Sequence, residues 1–389
     1  MTIELNLTET ALRERRNVKW SRYGTEVVPA WIAEMDYAAA PPVQAIIDRI
    51  ARQQDYGYAA RGGKEPVEAL AEAFAARMGT LYGWHPHPKA IQFISAFDQG
   101  ILAALMAFTE AGDGIIVQTP CYPPFYEVMR EGGRRFIKNP MRPGTDGYEI
   151  DLVHLDQVAA KARVLLLCNP QNPTGRVFTR SELQAIADIA IRHDLIVIAD
   201  EIHSEIVYDP FAHIPLATLG PEIAARTITL NSASKSFNIP GLYCGVMCFG
   251  TPELAARYHA KLPAMLMGQV NTFGVDATLA AWAEGNAWAG AVKTMLTARR
   301  AQVVATVRDR LPQLTLYQPQ GTYLAWLDMT ALGLKKPAAA FLLEQGKVAC
   351  MPGEWFSPEA KAFVRLNFAT SEPILTKILD RIEAAVRSL

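Results

Sequence analysis

Lys235 lies within NSASKSFNIPG (Asn231 to Gly241), a lysine set among small hydroxyl residues, and ADEIH (Ala199 to His203) stands shortly upstream of it. A primary amine can form a Schiff base with an aldehyde, and a carboxylate such as Asp200 can hold the proton of a pyridinium nitrogen. These are the two groups that pyridoxal phosphate chemistry requires, and neither motif suffices alone.

Both motifs sit in a pattern of alternating strand-like and helix-like segments, which predicts an α/β protein with a mostly parallel sheet covered on both faces. Buried strands are expected at the short apolar runs Gly114 to Gln118, Val164 to Cys168, Leu195 to Ala199, Thr227 to Leu230 and Cys244 to Phe249. A helix with apolar residues at helical spacing follows Thr179, its predicted cap. Trp282 to Leu311 reads as one or two long helices, after which strand-like Thr322 to Leu327 and Val364 to Phe368 and a helix from Glu372 form a second, smaller lobe. Turn clusters put the breaks near Pro41 and Gly285. The expected division is residues 1–45 as an N-terminal segment serving the small lobe, 46–284 as the large lobe and 285–389 as the small C-terminal lobe.

In open parallel sheets, ligands collect at the carboxyl ends of the strands. Asp200 ends one apolar run, NPQNPTG (Asn169 to Gly175) follows another and the Lys235 segment follows a third, so three polar turns face one crevice. SAFDQG (Ser95 to Gly100) separates the strand-like Ile91 to Ile94 from a helix-like run, and backbone amides at that helix start suit a phosphate. Asp98 adds negative charge in the same turn.

Composition narrows the partners. With 389 residues, half of them apolar, the chain can build a large core. Its 38 basic and 39 acidic residues leave a net charge of -1, so no global field favours nucleic acid or an anionic membrane. Five cysteines, an odd number, argue against a disulfide framework and for a cytoplasmic protein with reduced core thiols. No apolar run reaches spanning length, and Met1 to Thr10 lacks a secretory pattern. Cys244 and Cys248 have no second pair to complete a zinc set, and no metal site is expected. The basic cluster Arg13, Arg15, Arg16 and Lys19 reads as a solvated helical face.

The motifs NPQNPTG, ADEIH and SASKSFN, in this order, resemble those of the fold type I pyridoxal phosphate enzymes of aminotransferase class I/II. Within that superfamily the chain is most similar to the MalY/PatB-like cystathionine beta-lyase branch. The residues that carry this are Lys19-Trp20, PAWIAEMDY (Pro29 to Tyr37), Tyr56 to Tyr58, PCYPPF (Pro120 to Phe125), SFNIPGL (Ser236 to Leu242) and Gly321 to Trp326. The resemblance implies a large domain with a mostly parallel seven-stranded sheet between helices, plus a smaller α+β domain. It implies a homodimer whose active sites are shared across the interface.

By position, the resemblance makes Lys235 the cofactor-bound lysine that later moves the substrate Cα proton, and Asp200 the partner of the ring nitrogen. Asn172 and His203 become donors to the cofactor's phenolic oxygen, and Tyr122 the ring that stacks on the pyridine. The phosphate falls to the amides of Ala96 and Phe97, to the Ser232 hydroxyl, and to Tyr58 reaching over from a second subunit. Tyr58 also counts with Lys235 as catalytic, and Ser234 joins the cofactor-binding set. Arg365, in FVRLNFA (Phe363 to Ala369), matches the arginine that grips the substrate α-carboxylate, with Asn172 and Tyr122 beside it. The chain departs from the superfamily at Tyr243, where an arginine commonly binds phosphate, and from many lyase relatives at Gln171, where they carry histidine.

The resemblance implies β-elimination on cystathionine or another cysteine S-conjugate, giving a thiol, pyruvate and ammonia. Transamination of an amino acid, or a specialised biosynthetic reaction on an unusual amino acid or conjugate, needs the same residues and stays open. A regulatory protein with reduced catalysis is the reading from another class, and the intact Lys235 argues for turnover. Trp31, Tyr37, Trp326, Trp355 and Phe356 are candidates to line a pocket for a bulky side chain.

Overall fold

The computed structural model describes residues 5–57, 60, 63–145 and 147–389. Its strands are β1 (Val28–Ala30), β2 (Ile91–Ile94), β3 (Gly114–Thr119), β4 (Arg135–Pro143), β5 (Tyr148–Ile150), β6 (Val164–Cys168), β7 (Ile196–Asp200), β8 (Thr227–Asn231), β9 (Gly245–Phe249), β10 (Thr315–Leu316), β11 (Leu324–Asp328), β12 (Val348–Pro352) and β13 (Phe363–Asn367). They form two sheets, ordered β2-β9-β8-β7-β6-β3-β4-β5 and β1-β12-β13-β11-β10. The large sheet thus has eight strands where seven were expected; the extra one, β5, is a three-residue antiparallel return on the end of β4. A run of three residues leaves too little apolar pattern to register as a strand.

Strands β8, β7, β6, β3 and β4 run parallel, and β9 opposes its neighbours. Alternate side chains enter different cores: Val117, Leu166, Ile198 and Leu230 pack with the helix Phe97–Phe108, whereas Ile116, Leu165, Leu167 and Val197 pack with the helix Arg180–Arg192. Burial on both faces is why these strands read as unbroken apolar runs. Thr179 caps Arg180–Arg192 with Glu182 in a reciprocal capping box. The long helical stretch is two helices, Thr272–Glu284 and Asn286–Arg310, meeting at Gly285. A Cβ there would lie 2.4 Å from the Ala281 carbonyl oxygen and 2.5 Å from the Phe237 ring.

The N-terminal segment enters the small sheet rather than the large one, since β1 pairs in parallel with β12. Just before and after it, Lys19 and Asp36 form an ion pair of 2.8 Å, each 1% exposed. Trp20 Nε1 donates to Asp36 Oδ1 at 2.7 Å, and Lys19 Nζ donates to the Glu34 carbonyl at 3.0 Å. Lys19 therefore does not belong to the solvated face assigned to its cluster. It sits in a four-residue helix, Val18–Ser21, too short for a reliable period, and tertiary packing turns it inward. Trp20→Phe removes a buried donor to a carboxylate, so the denaturation midpoint should fall by an amount equivalent to about 2 kcal/mol. Urea titration of both proteins checks this.

All five cysteines are buried and unpaired. Among the described residues no helix is long and apolar enough to cross a membrane.

Candidate active site

Four adjacent strands carry the site. Cys168, Asp200 and Leu230 are in register across β6, β7 and β8, so the turns that follow these strands open side by side. In sheet order β8-β7-β6-β3, those turns present Lys235, Asp200, Asn172 and Tyr122. The small sheet closes the other side with Arg365, central in β13, and Met351 of β12. The enclosed cavity is about 350 Å³.

The turn after β6 is held by its own polar groups. Gln171 Nε2 donates to the Pro120 carbonyl at 2.7 Å, and its Oε1 accepts from the Thr174 amide at 2.9 Å. Gly175 has φ +72° and lies where a Cβ would come within 2.8 Å of Pro319, so only glycine fits. Gln171 thus serves as an internal brace of the Asn172 turn, joined to the loop that carries Tyr122.

The N-terminal segment forms a strap over the cavity. Asn238, left-handed at φ 56°, bonds Met35 through both its oxygen (2.8 Å) and its nitrogen (2.9 Å). Asn367 Nδ2 donates to the carbonyls of Ile32 and Glu34. Trp31, Ile32 and Ala33 are thereby presented to the cavity. Lys235 Nζ donates to the Ala33 carbonyl at 2.9 Å.

The four ionisable groups at the centre are all perturbed by burial. Lys235 falls to about 8, chiefly by desolvation and then by the Arg365 charge. Asp200 rises to about 7 by desolvation, against the amide of Ile202 that donates to Oδ1 at 3.1 Å. His203 is pushed well below its usual value by burial, so its imidazole is neutral at physiological pH. Arg365 falls to about 10 by burial yet stays a cation.

Arg365 is 1% exposed. Nη1 donates to Asn172 Oδ1 at 3.0 Å and Nη2 to the Trp31 carbonyl at 2.9 Å, while the guanidinium lies 5.0 Å over the Phe356 ring. Among the described residues no carboxylate pairs with it, and its Nε has no partner. His203 Nδ1 is likewise buried without a partner. A buried cation with no anion, a buried carboxylate with no ion pair and an unpartnered imidazole nitrogen around one cavity are groups awaiting a ligand of complementary charge. A flat ring with a basic nitrogen and an anionic tail, joined to an amino acid, satisfies all three.

At another part of the wall, Ala96 caps the helix Phe97–Phe108, whose first residues line the cavity. Gly100 lets that helix approach the sheet, since a Cβ would sit 2.5 Å from Ile94 Cδ1. Ser232 Oγ donates to the Cys244 carbonyl at 2.7 Å and accepts from the Ser234 amide at 3.0 Å. Its proton is therefore engaged within the chain, and Ser234 keeps the hydroxyl that no described residue occupies. Tyr243, left-handed at φ 50° and 58% exposed, lines the rim.

The cavity thus assembles Ala96, Phe97, Tyr122, Asn172, Asp200, His203, Ser232, Ser234, Lys235 and Arg365. Tyr58 lies outside the described residues. Of the aromatic candidates only Trp31 lines the cavity; Tyr37, Trp326 and Phe356 are core, and Trp355 is exposed. Sequence reasoning missed the Ala33 carbonyl, Met351 and the place of Asp98 in the cavity lining. A backbone carbonyl has no residue signature, and an acid in a helix's first turn reads as dipole complementation.

Because its amine is desolvated, Lys235 should lose its proton near pH 8 instead of near the ordinary value of about 10.4. A lowered lysine pKa means the neutral, nucleophilic fraction grows as pH rises through 8. The rate at which the cofactor-free protein captures added pyridoxal phosphate, followed by absorbance, should rise to a plateau with that midpoint. A rate still climbing through pH 10 contradicts the assignment.

Residues 32–382 match the family model described as aminotransferase class I and II. The chain is 32% identical over 379 residues to cystathionine beta-lyase PatB of Bacillus subtilis (strain 168), covering 95% of this chain and 97% of that protein. It superposes on the crystal structure of OvoB with a TM-score of 0.92 at 34% identity, covering 100% of both chains. The PLP-bound C-S lyase from Staphylococcus hominis aligns with a TM-score of 0.88 at 26% identity, over 96% of each chain.

Proposed function

Since the chain belongs to the aminotransferase class I and II family, we propose that it is a pyridoxal phosphate-dependent carbon-sulfur β-lyase acting on L-cystathionine or another cysteine S-conjugate. The observation that carries the reading is the buried Arg365, without an ion pair among the described residues, lining the same cavity as Lys235 and Asp200. A free guanidinium and an amine on one cavity suit an α-amino acid held by its carboxylate with its Cα next to the lysine.

Bound pyridoxal phosphate supplies the sink for the electron pair left at Cα. The chain's residues do the rest. Arg365 binds the α-carboxylate, with Asn172 fixing the guanidinium plane through Oδ1. Asp200 would hold the cofactor's ring nitrogen, His203 and the Asn172 amide nitrogen its phenolic oxygen, and Tyr122 the ring face. Ala96, Phe97 and Ser234 would receive its phosphate, with Ser232 shaping that turn. Lys235 Nζ removes the Cα proton, and its depressed pKa keeps a neutral fraction available for this. The strap of Trp31 to Ala33 and Met351 excludes water from the reacting carbon.

In the net reaction the Cβ–S bond breaks, sulfur leaves with the electron pair and takes up a proton, and water supplies the ketone oxygen of pyruvate as nitrogen departs as ammonia. No electron is exchanged with an outside reagent.

The reading extends to a cytoplasmic homodimer in which Tyr58 of one subunit completes the phosphate site of the other, and to three segments bounded near residues 45 and 284. Buried, unpaired cysteines suit a reducing compartment. Gel filtration at the mass of a single chain counts against the dimer. The function itself is tested by incubating purified protein with cystathionine and measuring pyruvate and free thiol with no keto acid present. Both products should appear in equal amounts. Product formed only when 2-oxoglutarate is supplied would make the protein an aminotransferase.

A further inference from the structure

We propose that Tyr323 is a positioning residue for Lys235: its hydroxyl fixes and shares the Ala33 carbonyl, so that the lysine amine is held through one N–H with its lone pair free for the substrate Cα proton. This rests on the reading of Lys235 as the base and adds to it a residue that acts only through the strap.

The strap is held carbonyl by carbonyl. Arg365 Nη2 donates to the Trp31 carbonyl at 2.9 Å, Asn367 Nδ2 to those of Ile32 at 2.7 Å and Glu34 at 2.6 Å, and Tyr323 Oη to that of Ala33 at 3.0 Å. Arg365 and Asn367 lie on β13, and Tyr323 directly precedes β11, its pairing partner. Among the described residues, the Ala33 carbonyl is the one of these four that also receives the Lys235 amine, at 2.9 Å.

A carbonyl oxygen has two lone pairs. With Tyr323 on one and Lys235 on the other, the oxygen is filled, and the amine has one fixed acceptor. A neutral amine anchored through one N–H swings less than a free one, and proton removal depends steeply on that orientation. The sharing acts on charge as well. A carbonyl accepting from an ammonium favours the protonated form, and a second donor on the same oxygen weakens that pull. Tyr323 thus works in the same direction as burial, which holds Lys235 down at about 8.

The backbone is strained where it presents this side chain. Thr322, a β-branched residue, stands in the left-handed region at φ 64°. Three bonds hold it there: its amide donates to the Ile206 carbonyl at 2.8 Å, its carbonyl accepts from Tyr208 Oη at 2.7 Å, and its Oγ1 accepts from the Leu324 amide at 3.1 Å. Such strain persists where the surroundings enforce one geometry. Tyr323 itself is buried and meets the His203 ring edge-on, with centroids 5.8 Å apart.

The test is Tyr323→Phe, which keeps the ring and its His203 contact and removes the hydroxyl alone. It orphans no buried group, because the Ala33 carbonyl keeps its bond from Lys235. In the cofactor-free protein, the pH midpoint for capture of pyridoxal phosphate should rise by about half a unit to one unit. Arg365, Asp200, His203, Asp98 and Tyr122 around the cavity, and Glu34 beside Ala33, are unaltered, so the shift reports the hydroxyl. In the loaded enzyme, kcat for pyruvate release should fall about tenfold with KM within about twofold of wild type. The isotope effect from Cα-deuterated cystathionine should grow, because proton removal slows while product release does not. Tyr208→Phe, which loses a bond to Thr322 and none to Ala33, should lower the denaturation midpoint and leave both the capture midpoint and the isotope effect at their wild-type values. An unmoved midpoint and isotope effect in Tyr323→Phe, or equal changes in both variants, overturn the assignment. If wild-type protein captures the cofactor but releases no pyruvate from cystathionine, the lyase reading fails, and the capture midpoint still decides the role of Tyr323.

Discussion

Lys235→Ala should lower kcat for pyruvate release by about four orders of magnitude or more, because one side chain supplies both the attachment point and the Cα base. The two roles separate experimentally. Borohydride reduction followed by peptide mass analysis should find the cofactor fixed to Lys235 in the wild type and to no residue in the variant. Added alkylamines should restore a fraction of turnover by supplying a base, without restoring the covalent label. Circular dichroism should be unchanged, since among the described residues the side-chain hydrogen bond lost is that to the Ala33 carbonyl. A variant that still carries the cofactor covalently would place the attachment elsewhere and dissolve the site as described.

Arg365→Gln should reduce kcat/KM about a thousandfold, equivalent to about 4 kcal/mol, with most of the loss in KM. The wild-type guanidinium is already desolvated and oriented by Asn172, the Trp31 carbonyl and the Phe356 ring, so a carboxylate meets a preorganised cation. Arg365→Lys should recover only part of this, since an ammonium cannot present the planar fork. A substrate with its α-carboxylate converted to the carboxamide gives the decisive comparison. Wild type should discriminate strongly against the amide, and Arg365→Gln should hardly discriminate at all. Equal losses on acid and amide would mean that Arg365 holds up the small sheet and does not read the carboxylate.

These two residues show how unevenly the site was legible. Lys235 and Asp200 announce themselves because each follows an apolar run with a short polar motif, and the two turns come from neighbouring strands. The central strands that were expected lie within a residue or two of their observed ends because burial on both faces demands unbroken apolar sequence. β4 and β5 escaped, the first because only two of its nine residues are buried and the second because three residues are too few to make a pattern. The same local logic misplaced Lys19: in a one-turn helix there is no second turn to show which face is buried, and its partner Asp36 is brought to it by the return of the strap.

Ser232 and Asp98 illustrate the other kind of gap. Motif position put the Ser232 hydroxyl on the phosphate, whereas folding brings the Cys244 carbonyl within 2.7 Å and engages its proton. Asp98 reads from the sequence as a charge in a phosphate turn, and the structure sets it among the residues that line the cavity.

Residue order sufficed for the cofactor class, the α/β layering and the identity of the central amine, carboxylate and guanidinium, because each depends on side-chain chemistry or on periodicity within a few residues. The strap that covers the cavity, the carbonyl that holds Lys235 and the burial of Lys19 emerged only with the tertiary structure. They arise where distant segments meet, Val28 on Val348 and Met35 on Asn238, and no local pattern encodes which backbone groups will face each other there.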